Sequence, residues 1–240
     1  MTLLLPLLLS ACGLWIYEEP DEGGRVSWSG AVIDGPSADA GPFTGGELTA
    51  WDLDGELIAT GREPWEDSPG TWRLKVPPEI PVALHLAGEG MLPAVWRGTT
   101  PAHLAYWYSG ALFAFEQDTW RPFFEQFDGQ HGQQVTALED GVCWAWFAPW
   151  EPEAWAGAQV RLTDGAGEIA DFLAYTLNDE GVLVDPAGTP LDHLFAFDLT
   201  PGDITLSVLT ADGRAMTETW PCWAGEIVAG WYLALPAEPT

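Results

Sequence analysis

The sequence predicts an all-β protein built from two tandem antiparallel β-sandwiches, and three observations predict it. Short segments alternate apolar and polar residues with a period of two, as strands buried on one face do. The 27 glycines and 20 prolines divide the chain into such segments and supply turns between them. The segments also recur in the same order in the two halves of the chain.

This internal repeat is the most informative feature of the sequence. Three segments pair up: 26–28 (VSW) with 142–144 (VCW), 52–57 (DLDGEL) with 164–169 (DGAGEI), and 72–78 (WRLKVPP) with 195–201 (FAFDLTP). The offsets are 116, 112 and 123 residues, so the order holds while the spacing drifts. Loops of different length between equivalent strands explain that drift, and two copies of one domain are the simplest interpretation.

The repeat divides the chain into five expected segments. These are a signal segment (1–12), an acidic tether (13–24), a first sandwich (25–100), an aromatic linker (101–137) and a second sandwich (138–240). Within the linker, Asp118 or Thr119 is placed to cap a short helix running to Phe127. Residues 129–134 (GQHGQQ) are the predicted hinge.

The order of segments resembles the carboxypeptidase regulatory-like domain, a transthyretin-like seven-stranded sandwich. The matching positions of the first copy are Gly30, Val32, Asp34, Leu48, Gly55 and 72–78. The second copy carries the family's Pro-Gly turn at Pro201 and Gly202, whereas the first has Glu79 at the glycine position. Another immunoglobulin-like sandwich satisfies most of these motifs. The resemblance implies a non-catalytic role and brings no active-site residues.

The N-terminus predicts export. Residues 3–9 contain only Leu and Pro, which is too short for a membrane-spanning helix of roughly 20 apolar residues. An apolar run ending in small residues is typical of a secretory signal. Residues 9–12 (LSAC) resemble the lipobox of bacterial lipoproteins, which implies that Cys12 is lipidated and becomes the first mature residue. The alternative is an ordinary signal peptide with a chance cysteine.

A lipidated Cys12 implies a location. The lipoprotein resemblance implies several acyl chains on this cysteine, and two or more chains anchor a protein stably. Gly13 follows Cys12 in place of the Asp that often marks retention at the inner membrane. We therefore expect a protein anchored to the bacterial outer membrane, on its periplasmic or surface face.

The net charge of the chain restricts the classes of molecule that it can bind. The sequence has 8 Lys and Arg against 36 Asp and Glu, a formal net charge of −28. Such a surface repels phosphate backbones, which excludes nucleic acid as a partner. It also repels anionic lipid headgroups, so the anchor is the expected membrane contact.

The other two cysteines, Cys143 and Cys222, form a single even pair once Cys12 is assigned to the lipid. Export makes their oxidation plausible, and closing so long a loop stabilises by about 4 kcal/mol in the chain-entropy model. We predict a disulfide between them, with two unpaired buried thiols as the alternative.

The sequence contains no motif for catalysis. The four histidines are isolated, the only lysine is Lys75, and no nucleophile elbow or paired-cysteine motif occurs. Carboxylates in 52–63 are spaced like a calcium loop, but Leu57 stands where an EF-hand needs Gly, which favours a solvated turn. We therefore expect no enzyme, no metal and no cofactor.

Fifteen tryptophans raise the question of sugar binding. Trp28 and Trp144 alternate within strands and are expected in the core. Trp65, Trp150 and Trp155 lie in loop-like contexts and are the candidates for an exposed ligand-binding platform. The function predicted is a non-catalytic binding or structural module that contacts an envelope protein or glycan. The alternatives are a carbohydrate-binding module using those loop tryptophans, or an accessory subunit of an envelope enzyme.

Overall fold

The computed structural model confirms the all-β prediction. It describes residues 23–34, 45–61, 70–89, 91–102, 112–132, 138, 141–149, 151–177, 183–184 and 193–236. These residues form strands throughout, with one α-helix and one short 3-10 helix.

The first half of the chain contributes eight strands. They are β1 (Val26–Asp34), β2 (Glu47–Asp52), β3 (Leu57–Thr60), β4 (Thr71–Val76), β5 (Pro81–Ala87), β6 (Met91–Leu92), β7 (Ala94–Thr99) and β8 (Leu112–Glu116). Helix α1 (Gln117–His131) follows directly. The second half contributes β9 (Cys143–Pro149), a 3-10 helix (Pro152–Trp155), β10 (Gln159–Thr163), β11 (Leu173–Leu177), β12 (Leu183–Val184), β13 (His193–Leu199), β14 (Gly202–Leu209), β15 (Ala215–Cys222) and β16 (Ile227–Leu233).

The two halves repeat one set of strand pairings. In the first half, β1 pairs antiparallel with β4 and parallel with β8, while β5 pairs antiparallel with both β2 and β7. In the second half, β9 pairs antiparallel with β13 and parallel with β16, while β14 pairs antiparallel with both β10 and β15. The repeat inferred from the sequence is therefore also a repeat of strand connectivity.

The halves are joined by a common sheet. Strand β16 pairs in parallel with β7, matching Ile227 to Ala94 and Ala229 to Trp96. This pairing produces a nine-stranded sheet in the order β12-β11-β13-β9-β16-β7-β5-β2-β3. The sequence analysis did not anticipate this junction, because parallel pairing between distant strands leaves no local sequence signal.

Two further layers and α1 cover this sheet. The four-stranded sheet β4-β1-β8-β6 packs on the first half of the sheet, and α1 packs on the same face of the second half. The three-stranded sheet β10-β14-β15 packs on the opposite face of the second half. The segment predicted as a linker thus supplies a strand and a helix to the folded body.

Strand β9 is buried on both faces, because α1 lies on one side of it and β14 and β15 lie on the other. All seven of its residues are buried. Trp144 and Trp146 belong to the core under α1, whereas Ala145 and Phe147 belong to the core under the three-stranded sheet. Trp28 and Trp144 are both buried, as predicted.

Helix α1 is close to its prediction but longer. Phe124 contacts the ring of Trp144 at 4.7 Å between centroids, and Phe127 contacts Phe197 at the same separation. The hinge predicted at 129–134 is wrong for residues 129–131, which are helical. The helix ends at His131, and Gly132 follows it with a φ of 65°, a conformation that glycine adopts without strain.

The two DxxGE segments (Asp52–Glu56 and Asp164–Glu168) form the same turn. In each, the N–H of a glycine in the left-handed region donates to the carbonyl oxygen of the aspartate three residues earlier, at Gly55 with φ 86° and at Gly167 with φ 80°. The Asp52 Oδ1 atom accepts the backbone N–H of Glu56 at 2.7 Å, so this carboxylate is used within the turn. The solvated turn predicted there is confirmed.

Candidate functional site

The cysteine predictions have different outcomes. Cys143 and Cys222 form the predicted disulfide, with their Cα atoms 6.0 Å apart and both residues buried. The bond connects β9 to β15, and thus ties the two sheets of the second half across their shared core. Cys12 lies outside the described residues, so its lipidation stays a prediction.

The predicted tryptophan platform is not supported where the structure describes it. Trp155 ends the 3-10 helix and is 1% exposed, packed into the core of the second half. Its assignment as an exposed ligand-binding residue is wrong, because the 3-10 turn directs this large side chain inward, where its burial stabilises the fold. Trp65 and Trp150 lie outside the described residues.

Most described tryptophans pack against other rings. Trp28 and Trp72 meet edge to face at 5.5 Å between centroids. Trp146 donates a hydrogen bond from Nε1 to the hydroxyl of Tyr175 at 3.2 Å, and His193 stacks on both rings. These aromatic side chains form the cores, as the sequence analysis favoured.

One cleft stands out because it lies where the two halves meet. This seam cleft has a volume of about 340 Å³. Its walls come from both halves and include the rings of Trp28, Trp96 and Trp220 and the charged side chains of Arg97 and Glu218. The shared sheet creates it, since β7 and β16 are neighbours only because the halves pair.

The lining of the seam cleft is both polar and apolar. Trp96 is 5% exposed, and its indole N–H has no hydrogen-bond acceptor in the described part of the chain. Arg97 donates a hydrogen bond to the carbonyl oxygen of Thr219, which ties the first half to the second. A buried donor without an acceptor costs about 1–3 kcal/mol, so this N–H is an unfavourable feature of the packing around Trp96.

A second cleft carries three of the eight basic residues of the chain. Arg25, Arg73 and Lys75 line it between β3 and β4, around a volume of about 670 Å³. The Arg25 guanidinium donates to the carbonyl oxygens of Ile58 and Lys75, each at 3.1 Å. Arg25 therefore ties the edge strands of two sheets together, which gives this basic cluster a structural role.

A contact at the seam involves a histidine. The Nε2 atom of His85 on β5 lies 3.1 Å from Oε1 of Glu226, which precedes β16. Thr49 lies on the other side of the ring, with its hydroxyl 3.5 Å from Nδ1. This contact is an ion pair when the imidazole is protonated, and it joins the halves.

Two aspartates in hairpin turns have altered acidity. Burial by itself would raise the pKa of Asp164, but hydrogen bonds from Thr200, Glu168 and Ala166 outweigh it and hold that pKa below the usual range. The hydroxyl of Thr210, with Arg214, lowers the pKa of Asp212. Both carboxylates stabilise turns.

The described residues contain no group of three or more His, Cys, Asp or Glu side chains placed to hold a metal ion. Within the same ranges, no helix combines the length and the apolar character that crossing a bilayer requires.

Comparison with known proteins gives distant similarities only. No family model and no curated protein matches the sequence. Among solved structures, the chain is similar to the Bacillus anthracis TIE protein, with a TM-score of 0.30 and 10% identity over 88% of this chain and 34% of that one. It therefore spans about a third of that protein.

Pilin structures are also similar. The shaft pilin SpaA from Lactobacillus rhamnosus GG matches with a TM-score of 0.29 and 10% identity, over 90% of this chain and 100% of the pilin. BcpA, the major pilin subunit of Bacillus cereus, matches with a TM-score of 0.29 and 10% identity, over 88% of this chain and 69% of the subunit. These similarities assign no function to this chain.

Proposed function

We propose that this protein is an envelope lipoprotein whose folded part is a non-catalytic structural or binding module. The apolar run ending at Cys12 supports the lipid anchor, and the acidic stretch after it supports a solvated tether. The Cys143–Cys222 disulfide fits export, since such bonds persist in oxidising compartments. No lysine lies beside Cys12, and the formal net charge is −28, so electrostatic attraction does not hold the protein to anionic lipid headgroups. The proposed membrane contact is therefore the lipid on Cys12.

The observation that carries the proposal is the shared nine-stranded sheet. It fuses two sandwiches into one body, and the described aromatic side chains are mostly used in its two cores. A rigid sandwich body is suited to presenting loops and clefts to a partner, because binding residues gather on loops held by a fixed scaffold. The proposed fold relatives remain the transthyretin-like, carboxypeptidase regulatory-like sandwiches.

The anchor is tested by replacing Cys12. In a bacterial host, Cys12→Ser should move the exported protein from the detergent phase to the aqueous phase, and wild type should co-sediment with outer-membrane fractions. The double variant Cys143→Ala/Cys222→Ala is the matched control, because it removes two cysteines and should leave partitioning unchanged. Detergent partitioning of Cys12→Ser equal to that of wild type would refute the anchor.

The binding role is tested by crosslinking in intact cells. We expect an envelope protein or a glycan to be recovered with wild type, and nucleic acid to be absent because of the negative surface. Recovery of a single enzyme in fixed stoichiometry would instead support the accessory-subunit alternative.

A further inference from the structure

We propose that the cleft lined by Arg25, Arg73 and Lys75, called the basic cleft from here on, binds residues 18–22 (EEPDE) of this protein's own tether. The folded part then holds the tether against its surface and limits how far it can stand from a membrane. The docking is argued from the cleft and from the charge of the stretch 18–22. Its consequence for the distance to a membrane rests on the anchor proposed above.

Charge distinguishes the basic cleft from the rest of the molecule. The chain has 36 acidic and 8 basic residues, yet the described residues that line this cleft include three cations and no Asp or Glu. The stretch 18–22 supplies four carboxylates. Exposed charges attract within a Debye length, about 10 Å at 0.1 M salt. Leu57 is 50% exposed and forms an apolar rim on which Pro20 can pack.

The tether leaves the folded part beside this cleft. Arg25 directly precedes β1, and its guanidinium donates to the carbonyl oxygens of Ile58 and Lys75, each at 3.1 Å. The stretch 18–22 lies three to seven positions before Arg25, so its Cα atoms are at most about 11 to 25 Å from that of Arg25. Gly24 has a φ of 71°, a left-handed conformation that lets the chain reverse just before Arg25.

Other anionic occupants fit the basic cleft less well. Residues 62–69 (REPWEDSP) are also acidic, but they connect Thr60 of β3 to Thr71 of β4. Lys75 lies four residues along β4 from that connection, which is about 13 Å in a strand. A free anion or a lipid headgroup has to approach a chain with a net charge of −28. The stretch 18–22 is instead kept at a high local concentration by its covalent connection to Arg25.

Docking would shorten the spacer between anchor and folded part. Thirteen positions separate Cys12 from Arg25, and a free chain of that length spans at most about 45 Å. With the stretch 18–22 docked, only the six positions from Cys12 to Glu18 remain, which span at most about 21 Å. Because ion pairs between exposed side chains are screened by salt, the spacer should lengthen at high ionic strength.

Crosslinking identifies the occupant of the cleft. The experiment uses the exported full chain carrying Cys12→Ser, which keeps the tether but has no acyl chain. A carbodiimide joins a carboxylate to an amine where the two are in contact, and Lys75 is the only lysine of the chain. We expect peptide mapping to find Lys75 joined to an acid of 18–22. The yield should fall several-fold at 1 M NaCl, where the Debye length is about 3 Å.

A matched pair of variants tests the contribution of the cleft. Arg73→Gln removes one cation of the basic cleft and should lower the crosslinking yield about threefold, the effect of a weak exposed ion pair. Arg161→Gln removes an exposed cation on β10 and should leave the yield unchanged. Lys75 joined mainly to residues 62–69, no crosslink to the stretch 18–22, or a yield that Arg73→Gln does not change would overturn the inference.

Backbone NMR order parameters distinguish a docked stretch from one that only collides with the cleft. Amides of 18–22 should approach the value of about 0.85 of rigid backbone, whereas those of 13–16 should lie below about 0.6. Neutralising all four acids of 18–22 to Gln and Asn should reduce the order parameters of that stretch to those of 13–16. Neutralising the three acids of 62–69 in the same way is the control and should leave them unchanged. Equal order parameters for 18–22 and 13–16 in the Cys12→Ser protein would overturn the docking, while detergent partitioning of wild type decides the anchor independently.

Discussion

The turns at Asp52 and Asp164 are built alike but are attached to the molecule differently. Each aspartate accepts two backbone N–H groups within its own turn through Oδ1. Only Asp164 also accepts the backbone N–H of Thr200, at 3.3 Å through Oδ2. The second turn is therefore docked on the neighbouring β13–β14 connection, whereas the described bonds of the first turn stay local.

One residue explains this difference. Gly165 follows Asp164, and its N–H donates to the carbonyl oxygen of Thr200 at 2.9 Å. A Cβ at this position would lie 2.3 Å from the carbonyl oxygen of Pro201, so only glycine allows the approach. The first half has Leu53 at the equivalent place, 48% exposed. Two copies of one turn can thus diverge through a single side chain.

The second half is fixed by more ties than the first. It has the disulfide, the docked turn and α1 over its outer face. The first half has the Arg25 bridge between β3 and β4. We infer that contacts of the second half contribute more to the stability of the shared fold, and four substitutions test this.

The largest effect should come from the disulfide. Cys143→Ala/Cys222→Ala opens a loop with a sequence separation of 79 residues and should lower the free energy of unfolding by about 4 kcal/mol. Chemical denaturation measures this change. Reducing wild type with dithiothreitol should produce the same shift and should add nothing to the variant. A loss below about 1 kcal/mol would contradict the role given to this bond.

The second-largest loss of stability should come from disrupting α1, the helix that covers β9 and β13. Phe127→Ala removes a side chain that is 2% exposed and should cost about 3 kcal/mol, the usual range for a large aromatic in a core. Glu125→Ala, on the exposed face of α1, is the matched control and should change stability by less than about 0.5 kcal/mol. Equal effects would mean that α1 is not a packing layer.

The docked turn at Asp164 should tolerate substitution less well than the equivalent turn at Asp52. Gly165→Leu introduces the residue of the first turn into a space that the Pro201 carbonyl occupies, and should cost about 2 kcal/mol. The reciprocal Leu53→Gly removes an exposed side chain and should cost less than about 0.5 kcal/mol. Similar costs for the two exchanges would show that the second turn is not docked.

The smallest effect should be pH-dependent. Asp164→Asn keeps an oxygen for the local bonds but places a donor opposite Thr200, and should cost about 1 kcal/mol at pH 7. Because the fold lowers the pKa of Asp164 below its ordinary 3.8, the carboxylate stabilises above that value, and the contribution is lost as pH falls through the lower folded pKa.

Unfolding measured from pH 7 down to pH 2 checks this prediction. The difference between wild type and Asp164→Asn should be constant near neutrality and shrink below about pH 4. Asp52→Asn, whose described bonds are local, should cost less at pH 7. A difference that grows on acidification would reverse the sign of the linkage.

Local chemistry made part of this fold predictable. Alternation identified the strands, the glycines after Asp52 and Asp164 identified the turns, and the exported context identified the Cys143–Cys222 pair. Glu79, which replaces the glycine of the second copy, adopts φ 56° and so keeps the left-handed turn at a conformational cost. These features depend on a few neighbouring residues or on the oxidising compartment expected for an exported protein, and can therefore be predicted from the sequence.

The features that depend on distant pairing were not predictable. Trp144 faces α1, whereas Trp28 faces the opposing sheet of its own half. Alternation alone does not say which layer each face of a strand meets, because a shift of one residue exchanges the two faces. Trp155 turns inward through a 3-10 helix too short to show a period. The seam cleft exists only because β7 pairs with β16. Their paired residues Ala94 and Ile227 are 133 positions apart in the chain.

The central claim is that the two halves form one folding unit through their shared sheet. Differential scanning calorimetry of the chain from residue 13 onward tests it most directly. We predict one transition whose calorimetric enthalpy equals the van't Hoff enthalpy, because the β7–β16 pairing and the common core prevent either half from unfolding alone. Two separate transitions, one of which is retained in a chain that ends before β9, would contradict it.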